Sequence, residues 1–136
     1  MTLRKTYKLF IFDFDGTLGD TKECVVASFH QALLDNNLST INREQIIHYM
    51  GLSLPLSFRK LTENKLDDAL YAKLVTDYRK HYRTFLTEKT LIFPEVKETL
   101  HELKEKGKLI SIATSKKTEF ARLSCSYLEI DPYIDL

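Results

Sequence analysis

Asp13 and Asp15 stand in the run Lys8-Leu-Phe-Ile-Phe-Asp-Phe-Asp-Gly-Thr-Leu-Gly-Asp20, where an apolar, aromatic stretch ends in two carboxylates at i and i+2. Successive strand side chains alternate faces, so if this stretch is a strand both acids leave its C-terminal end together. Two carboxylates held together repel unless a cation, a proton or a bridged substrate intervenes. A hard cation such as Mg2+, with phosphoryl chemistry, suits such a pair. Asp13 is the candidate nucleophile, because a carboxylate that attacks phosphorus forms an aspartyl-phosphate and splits one hard step into two. Asp15 is the candidate general acid, protonating the leaving alcohol and then activating water. Asp13 and Asp15 are also the candidate Mg2+ ligands, the metal offsetting the repulsion between an anionic nucleophile and an anionic substrate.

A second group of polar residues follows a second apolar stretch. Thr114, Ser115 and Lys116 come directly after Lys108-Leu-Ile-Ser-Ile-Ala113. Thr114 is placed to hydrogen-bond phosphoryl oxygens, and Lys116 with the amides of the next helix N-terminus to add positive potential. With Gly16 and Ser115 they complete the candidate phosphate contacts. Ser and Lys after a strand most often just cap the next helix, so the weight of this group comes from its place one strand after the acids.

Competing readings of the acids fail on spacing. An EF-hand loop counted from Asp13 needs Glu at its last ligand position, where Cys24 stands. No GxxxxGK[ST] occurs, so there is no P-loop. His30, His48, His81 and His101 show no metal spacing. Cys24 and Cys125 form no CxxC and read as two structural thiols of a reducing cytoplasm. Twenty basic against nineteen acidic residues leave a net charge of +1, which gives no electrostatic case for nucleic acid or an acidic membrane surface. No apolar run is long enough to span a bilayer. The N-terminus lacks the apolar core of a signal peptide, so a cytoplasmic location is expected.

The elements that must position these groups are legible in outline. At 136 residues with 43% hydrophobic content, the chain is one ordinary domain, or one domain with a small insertion. Tyr7 to Phe12 reads as a buried strand, followed by a turn at Asp15-Gly16-Thr17 in which Gly16 can take a positive φ. Asp20 or Thr21 opens a helix to about Asn36, and Thr40 or Asn42 opens another. Gly51 to Pro55 is a loop, and Leu56 to Leu61 a short helix. The longest periodic segment is Leu66 to Phe85, with Tyr71, Val75, Tyr78, Tyr82 and Phe85 on one face. A tyrosine stripe of this kind is usually core packing. Pro94 suits a first helical position. Val96, Leu100 and Leu103 line that helix and Gly107 stops it. Lys108 to Ala113 is a second strand, and Lys117 to Leu128 a helix with Phe120, Leu123 and Tyr127 inward. Asp131 to Leu136 approaches a third strand. Helices between strands predict an α/β fold with a parallel sheet. The helical block interrupts that rhythm directly after the acidic turn, and is expected to cap the carboxyl ends of the strands.

These residues resemble the haloacid dehalogenase superfamily. Asp13-Phe-Asp-Gly-Thr-Leu-Gly-Asp20 is similar to its first motif, D-x-D-G-T-L-x-D, and Ile112-Ala-Thr-Ser-Lys116 to its second. Gly51 to Leu61 resembles the cap of the phosphoglycolate phosphatase and β-phosphoglucomutase branches. Phe93-Pro-Glu-Val-Lys-Glu-Thr-Leu100 resembles the return to the core, usually P-G-V, with Glu95 in place of Gly. The resemblance implies a Rossmann-like parallel sheet core, incomplete at about three strands, over residues 1–18 and 87–136. An all-helical C1 cap over residues 19–86 is inserted after the first strand. It also implies a Mg2+-dependent phosphatase of small phosphorylated metabolites. An acid at Asp15 fits phosphatases and mutases and disfavours true dehalogenases.

Two further family motifs, a lysine on a later helix and a strand followed by Gly-Asp, do not occur within these 136 residues. Asp131 and Asp135 lack that context and are not assigned to the metal. The first strand is then expected to present an open edge, suited to a homo-oligomer or to a completing polypeptide. A phosphosugar mutase shares both motifs and stays open as an alternative, as does a non-catalytic module of the same fold.

Overall fold

In the computed structural model, which describes residues 6–135, the apolar run before Asp13 forms strand β1 (Leu9–Phe12). A two-residue strand β2 (Gly19–Asp20) follows the acidic turn. Four helices come next: α1 (Lys22–Asp35), α2 (Arg43–His48), α3 (Leu54–Leu61) and α4 (Asp68–Lys89). The chain then runs through β3 (Leu91–Ile92), α5 (Val96–Glu105), β4 (Leu109–Ile112), α6 (Thr118–Tyr127) and a 3-10 turn at Asp131–Tyr133. The first five residues, read above for a leader, and Leu136, read as part of a third strand, lie outside the described residues.

The chain divides into two units. One is Thr21–Thr90; the other joins the residues up to Asp20 with those from Leu91 onward. In the second of these, β1 and β4 pair in parallel, Leu9 opposite Leu109 and Phe12 opposite Ile112. This is the small parallel sheet with helices expected of an α/β core. Phe10, Phe12, Ile110 and Ile112 share one face of it by alternation, and Ile110 is fully buried with Phe14, Leu18, Leu100 and Ile130. A pairing with no sequence signal joins β2 and β3 antiparallel, Gly19 opposite Ile92. Two residues per strand are too few for periodicity to register.

The expected approach to a third strand is not strand among the described residues. Asp131–Tyr133 is a 3-10 turn, after which the Asp135 amide donates to the Ile110 carbonyl at 2.8 Å. The Asp135 carboxylate accepts from the Ile110 amide at 2.8 Å and from Lys104 Nζ at 2.8 and 2.7 Å. This chelate clamps the segment to the outer edge of β4.

The helical unit is built on its aromatic residues. Phe29 of α1 meets Phe58 of α3 at 4.6 Å and Tyr78 of α4 at 4.9 Å between ring centroids, and Tyr78 stacks on Tyr82 at 5.5 Å. The tyrosine face of α4 is therefore core, with one substitution in the expected stripe: Leu86 is fully buried and Phe85 only partly. Helices α2 and α4 start on side-chain caps, Asn42 accepting from the Glu44 amide and Asp67 from the Leu70 amide, each at 2.8 Å.

Other expectations are corrected. Helix α3 begins at Leu54, so Pro55 lies inside its first turn, where a missing N–H costs nothing. Pro94 is not the first residue of α5: Glu95 caps that helix from a left-handed conformation, φ 66°. Tyr127 is 44% exposed, and Ser124, Cys125 and Leu128 occupy the buried side of α6. Gly107 stops α5 as expected, with φ 68° and the Lys108 amide donating to the Leu103 carbonyl at 3.0 Å.

Candidate active site

β1 ends at Phe12, so Asp13 lies just beyond it and Asp15 lies in a bridge to Gly19. The acids are thus presented by a turn, not by continuous strand alternation. The turn closes around one carbonyl. Phe14 O accepts the amides of Thr17, Leu18 and Gly19 at 3.1, 2.9 and 3.1 Å, while the Phe14 ring is fully buried beneath. Gly16 takes φ 80° and its amide donates to the Gly19 carbonyl at 2.9 Å. Its amide therefore serves the turn in this structure, not a phosphate.

The two acids have different partners. Asp13 is exposed, and its Oδ1 accepts the Phe14 amide at 2.7 Å, which fixes one oxygen of the carboxylate. Asp15 accepts Lys116 Nζ at 2.9 Å, across 101 residues of sequence. The Lys116 side chain is 5% exposed and the Asp15 side chain 32%. Lys116 Nζ also lies 5.4 Å from the centroid of the Phe14 ring. Taking an ammonium out of water costs several kcal/mol unless it is paired, and the carboxylate with the aromatic face meets that need here.

Thr114 and Ser115 follow the end of β4. The Lys116 amide donates to Thr114 Oγ1 at 3.1 Å. A threonine hydroxyl that accepts one bond retains its proton, so Thr114 can still donate to a phosphoryl oxygen. Ser115 is exposed. Asp13, Asp15, Gly16, Thr114, Ser115 and Lys116 thus all lie in one unit of the chain, and the Lys116–Asp15 bond joins the turn after β1 to the turn after β4.

Beside these turns is a cavity of about 560 Å³, lined by Thr114, Lys116, Thr118, Arg122, Cys125 and Asp131 among others. Asp13 and Asp15 do not line it. Thr114 and Lys116 belong to both features. Burial, with Asp131 close by, pushes the Cys125 thiol up, so it is a neutral wall residue and not a nucleophile.

The donor chemistry fits Mg2+. That ion is commonly held by one or two carboxylates together with waters and substrate oxygens, and Asp13 offers an exposed carboxylate. The Asp15 carboxylate is bonded to Lys116 at 2.9 Å, so Asp15 would contribute its backbone carbonyl. No group of three or more His, Cys, Asp or Glu that could hold a metal occurs among the described residues.

Gly19 carries no chemistry and was not singled out from sequence, yet the site depends on it. A Cβ there would lie 2.9 Å from the Phe14 ring. A glycine inside a strand pattern often marks such a close approach, which is the signal that could have found it.

Comparison with known proteins identifies the family. Residues 10–136 match the family model for haloacid dehalogenase-like hydrolase. Pyrophosphatase PpaX of Bacillus cereus is 30% identical over 126 residues, covering 93% of this chain and 56% of that protein. The solved structure of a haloacid dehalogenase-like family hydrolase from Streptococcus pneumoniae superposes with a TM-score of 0.82 at 26% identity, covering 94% of this chain and 59% of that one. A structure from Haemophilus somnus, titled as a predicted phosphoglycolate phosphatase, gives a TM-score of 0.88 at 25% identity, covering 97% and 62%. The chain therefore spans little more than half the length of the curated relatives it matches.

Proposed function

The chain belongs to the haloacid dehalogenase-like hydrolases, and from that membership we propose that it is a Mg2+-dependent phosphatase of small phosphorylated metabolites, working through an aspartyl-phosphate on Asp13. The observation that carries this reading is the presentation of Asp13: an exposed carboxylate, one oxygen fixed by the Phe14 amide at 2.7 Å, just past the end of a parallel strand. A nucleophile fixed in this way needs little reorganisation on attack. PpaX is a pyrophosphatase by name and the Haemophilus structure a phosphoglycolate phosphatase by title. Both names describe hydrolysis of a phosphorylated small molecule.

In this proposal the Asp13 carboxylate attacks phosphorus, the P–O bond to the leaving group breaks, and Asp15 supplies that oxygen with a proton. Water then attacks the phosphorus of the acyl-phosphate with Asp15 taking its proton, the bond from Asp13 to phosphorus breaks, and inorganic phosphate leaves with the Asp13 carboxylate restored. Thr114 Oγ1 donates to a phosphoryl oxygen, and Asp13 and Asp15 would hold the Mg2+. When bound, that ion supplies charge neutralisation between carboxylate and phosphate.

The test is hydrolysis of p-nitrophenyl phosphate with and without Mg2+, in the wild type and in Asp13→Asn. Metal-dependent turnover that disappears in the variant supports the reading; full retention of rate rejects Asp13 as nucleophile. With β-glucose 1-phosphate a phosphatase releases inorganic phosphate, and a mutase gives the 6-phosphate.

Two finer points belong to the same proposal. The strand β1 pairs with β4 on one side only among the described elements. Its other edge suits a second copy or a completing polypeptide, because unpaired strand edges template further pairing. A reducing cytoplasm suits the two buried free cysteines, Cys24 and Cys125.

A further inference from the structure

We propose that Lys116 is an exchangeable counter-ion: it holds Asp15 while the site has no phosphate, and transfers its ammonium to an arriving phosphoryl group. This rests on the reading of the Asp13 turn as a phosphoryl site and adds a gating contact to it.

Three observations carry the proposal. The first is the asymmetry of burial in the ion pair. Lys116 is 5% exposed and Asp15 32%, so the buried partner is the cation. A buried ammonium must always have an anion against it, whereas a half-exposed carboxylate can be solvated by water. A phosphoryl group that takes the place of Asp15 beside Lys116 keeps a negative charge against the buried cation.

The second is connectivity. Lys116 is bonded to both halves of the site: through Nζ to Asp15 at 2.9 Å, and through its amide to Thr114 Oγ1 at 3.1 Å. The side chain pivots from a backbone anchored on the residue proposed to bind phosphate. A short swing of Nζ, with the backbone fixed, changes its partner.

The third is that the place of the ammonium is supported apart from Asp15. The aromatic contact with Phe14, 5.4 Å from the ammonium, does not depend on Asp15 and favours a cation at this place with either anion. The exchange forms one ion pair as it breaks another. It uncovers the Asp15 oxygen only when the anion is present.

The linkage is reciprocal: if Asp15 and phosphate compete for one ammonium, removing the Asp15 charge must tighten phosphate. Asp15→Asn alone would also tighten any anion by simple loss of a negative charge, so the diagnostic is the cycle with Lys116→Met. Inorganic phosphate is titrated calorimetrically into the wild type, Asp15→Asn, Lys116→Met and the double variant, without Mg2+. The expected result is a gain of about fivefold or more in affinity for Asp15→Asn, the low end of an ordinary coupling. Lys116→Met should weaken binding. Asp15→Asn should bring little or no gain in the Lys116→Met background.

An equal gain in both backgrounds overturns the proposal, as does the absence of measurable phosphate binding in all four proteins. A second readout needs no variant to be stable under titration. In 13C-lysine-labelled wild type, the Lys116 Cε resonance, assigned with Lys116→Arg, should shift on adding phosphate. An unmoved resonance at saturation also overturns it. The outcome is separable from that of the hydrolysis assay. Asp13→Asn can abolish turnover while the cycle shows no coupling, and the cycle can show coupling in a protein that hydrolyses nothing.

Discussion

The ring of Phe14 lies against the backbone of Gly19, so close that a Cβ on Gly19 would fall 2.9 Å from Cε1 and 3.0 Å from Cζ. The ring cannot easily retreat, being fully buried with Leu18, Ile110 and Ile130. The same turn carries Asp13 and Asp15 on either side of Phe14. Gly19→Ala should therefore destabilise the protein by about 1–3 kcal/mol, the usual cost of overpacking. Urea unfolding followed by circular dichroism checks this. The variant should also lose turnover, because displacing Phe14 moves both acids. A methyl group accommodated at this position with no loss of stability would show that the turn is looser than its contacts imply.

Glu95 offers the opposite case. It occupies the left-handed region at φ 66° immediately before α5, a conformation that costs an L-residue roughly 1–2 kcal/mol and glycine almost nothing. Glycine also has more unfolded-state freedom to lose, so the net gain is smaller. Glu95→Gly should stabilise the protein by about 0.5–1 kcal/mol, with Glu95→Ala bringing no such gain. Thermal melts of the three proteins, compared side by side, decide it.

These two positions show what the sequence does and does not disclose. The motif around Asp13 was legible because its residue types are chemically specific, and Glu95 could be noted as a departure from P-G-V. Why glycine is favoured there needed a dihedral angle. The long helices were legible from Tyr71, Val75 and Tyr78, which repeat over enough turns to give a period, whereas β2 and β3 are too short to have one. Alternation predicts that the acids leave a strand together, yet β1 stops at Phe12. Nothing local told that Lys116 reaches Asp15, since a pairing across 101 residues depends on the β1–β4 register. Asp135 looked idle in sequence because its partners, Lys104 and the Ile110 amide, come from two other elements.

That clamp predicts an acid sensitivity. The Lys104 ammonium first, and the Ile110 amide second, hold the Asp135 carboxyl below its usual value. The folded state therefore keeps this group ionised to lower pH than the unfolded chain does. Its stabilisation is present above the unfolded value of about 4 and is lost as pH falls through the folded one. The wild type should lose melting temperature between about pH 5 and pH 3. Asp135→Asn should start lower at neutral pH and fall less over that interval. It should not be flat, because Glu23, Asp35, Asp77 and Glu102 are also held below their usual values by hydrogen-bonded partners. A variant that keeps the full wild-type slope would remove Asp135 from the account.

The second face of the parallel sheet sets the last prediction. Leu9 and Ile11 alternate with the half-buried Phe10 and Phe12, and Leu109 stands opposite Leu9. These three side chains, Leu9, Ile11 and Leu109, are 41%, 61% and 49% exposed. Parallel sheets normally have both faces covered, and an exposed apolar strip beside an open edge favours association. The protein should therefore sediment above its monomer mass of 15.9 kDa. Replacing Ile11 and Leu109 together by threonine puts a β-branched shape suited to strands at both positions and adds a hydroxyl that water can solvate. Because both positions are exposed, each change should alter stability by only about 0.5 kcal/mol, while the apparent mass moves toward the monomer. Sedimentation velocity across a concentration series separates the outcomes. A wild type that stays monomeric throughout would mean that this strip is tolerated in water and needs no partner.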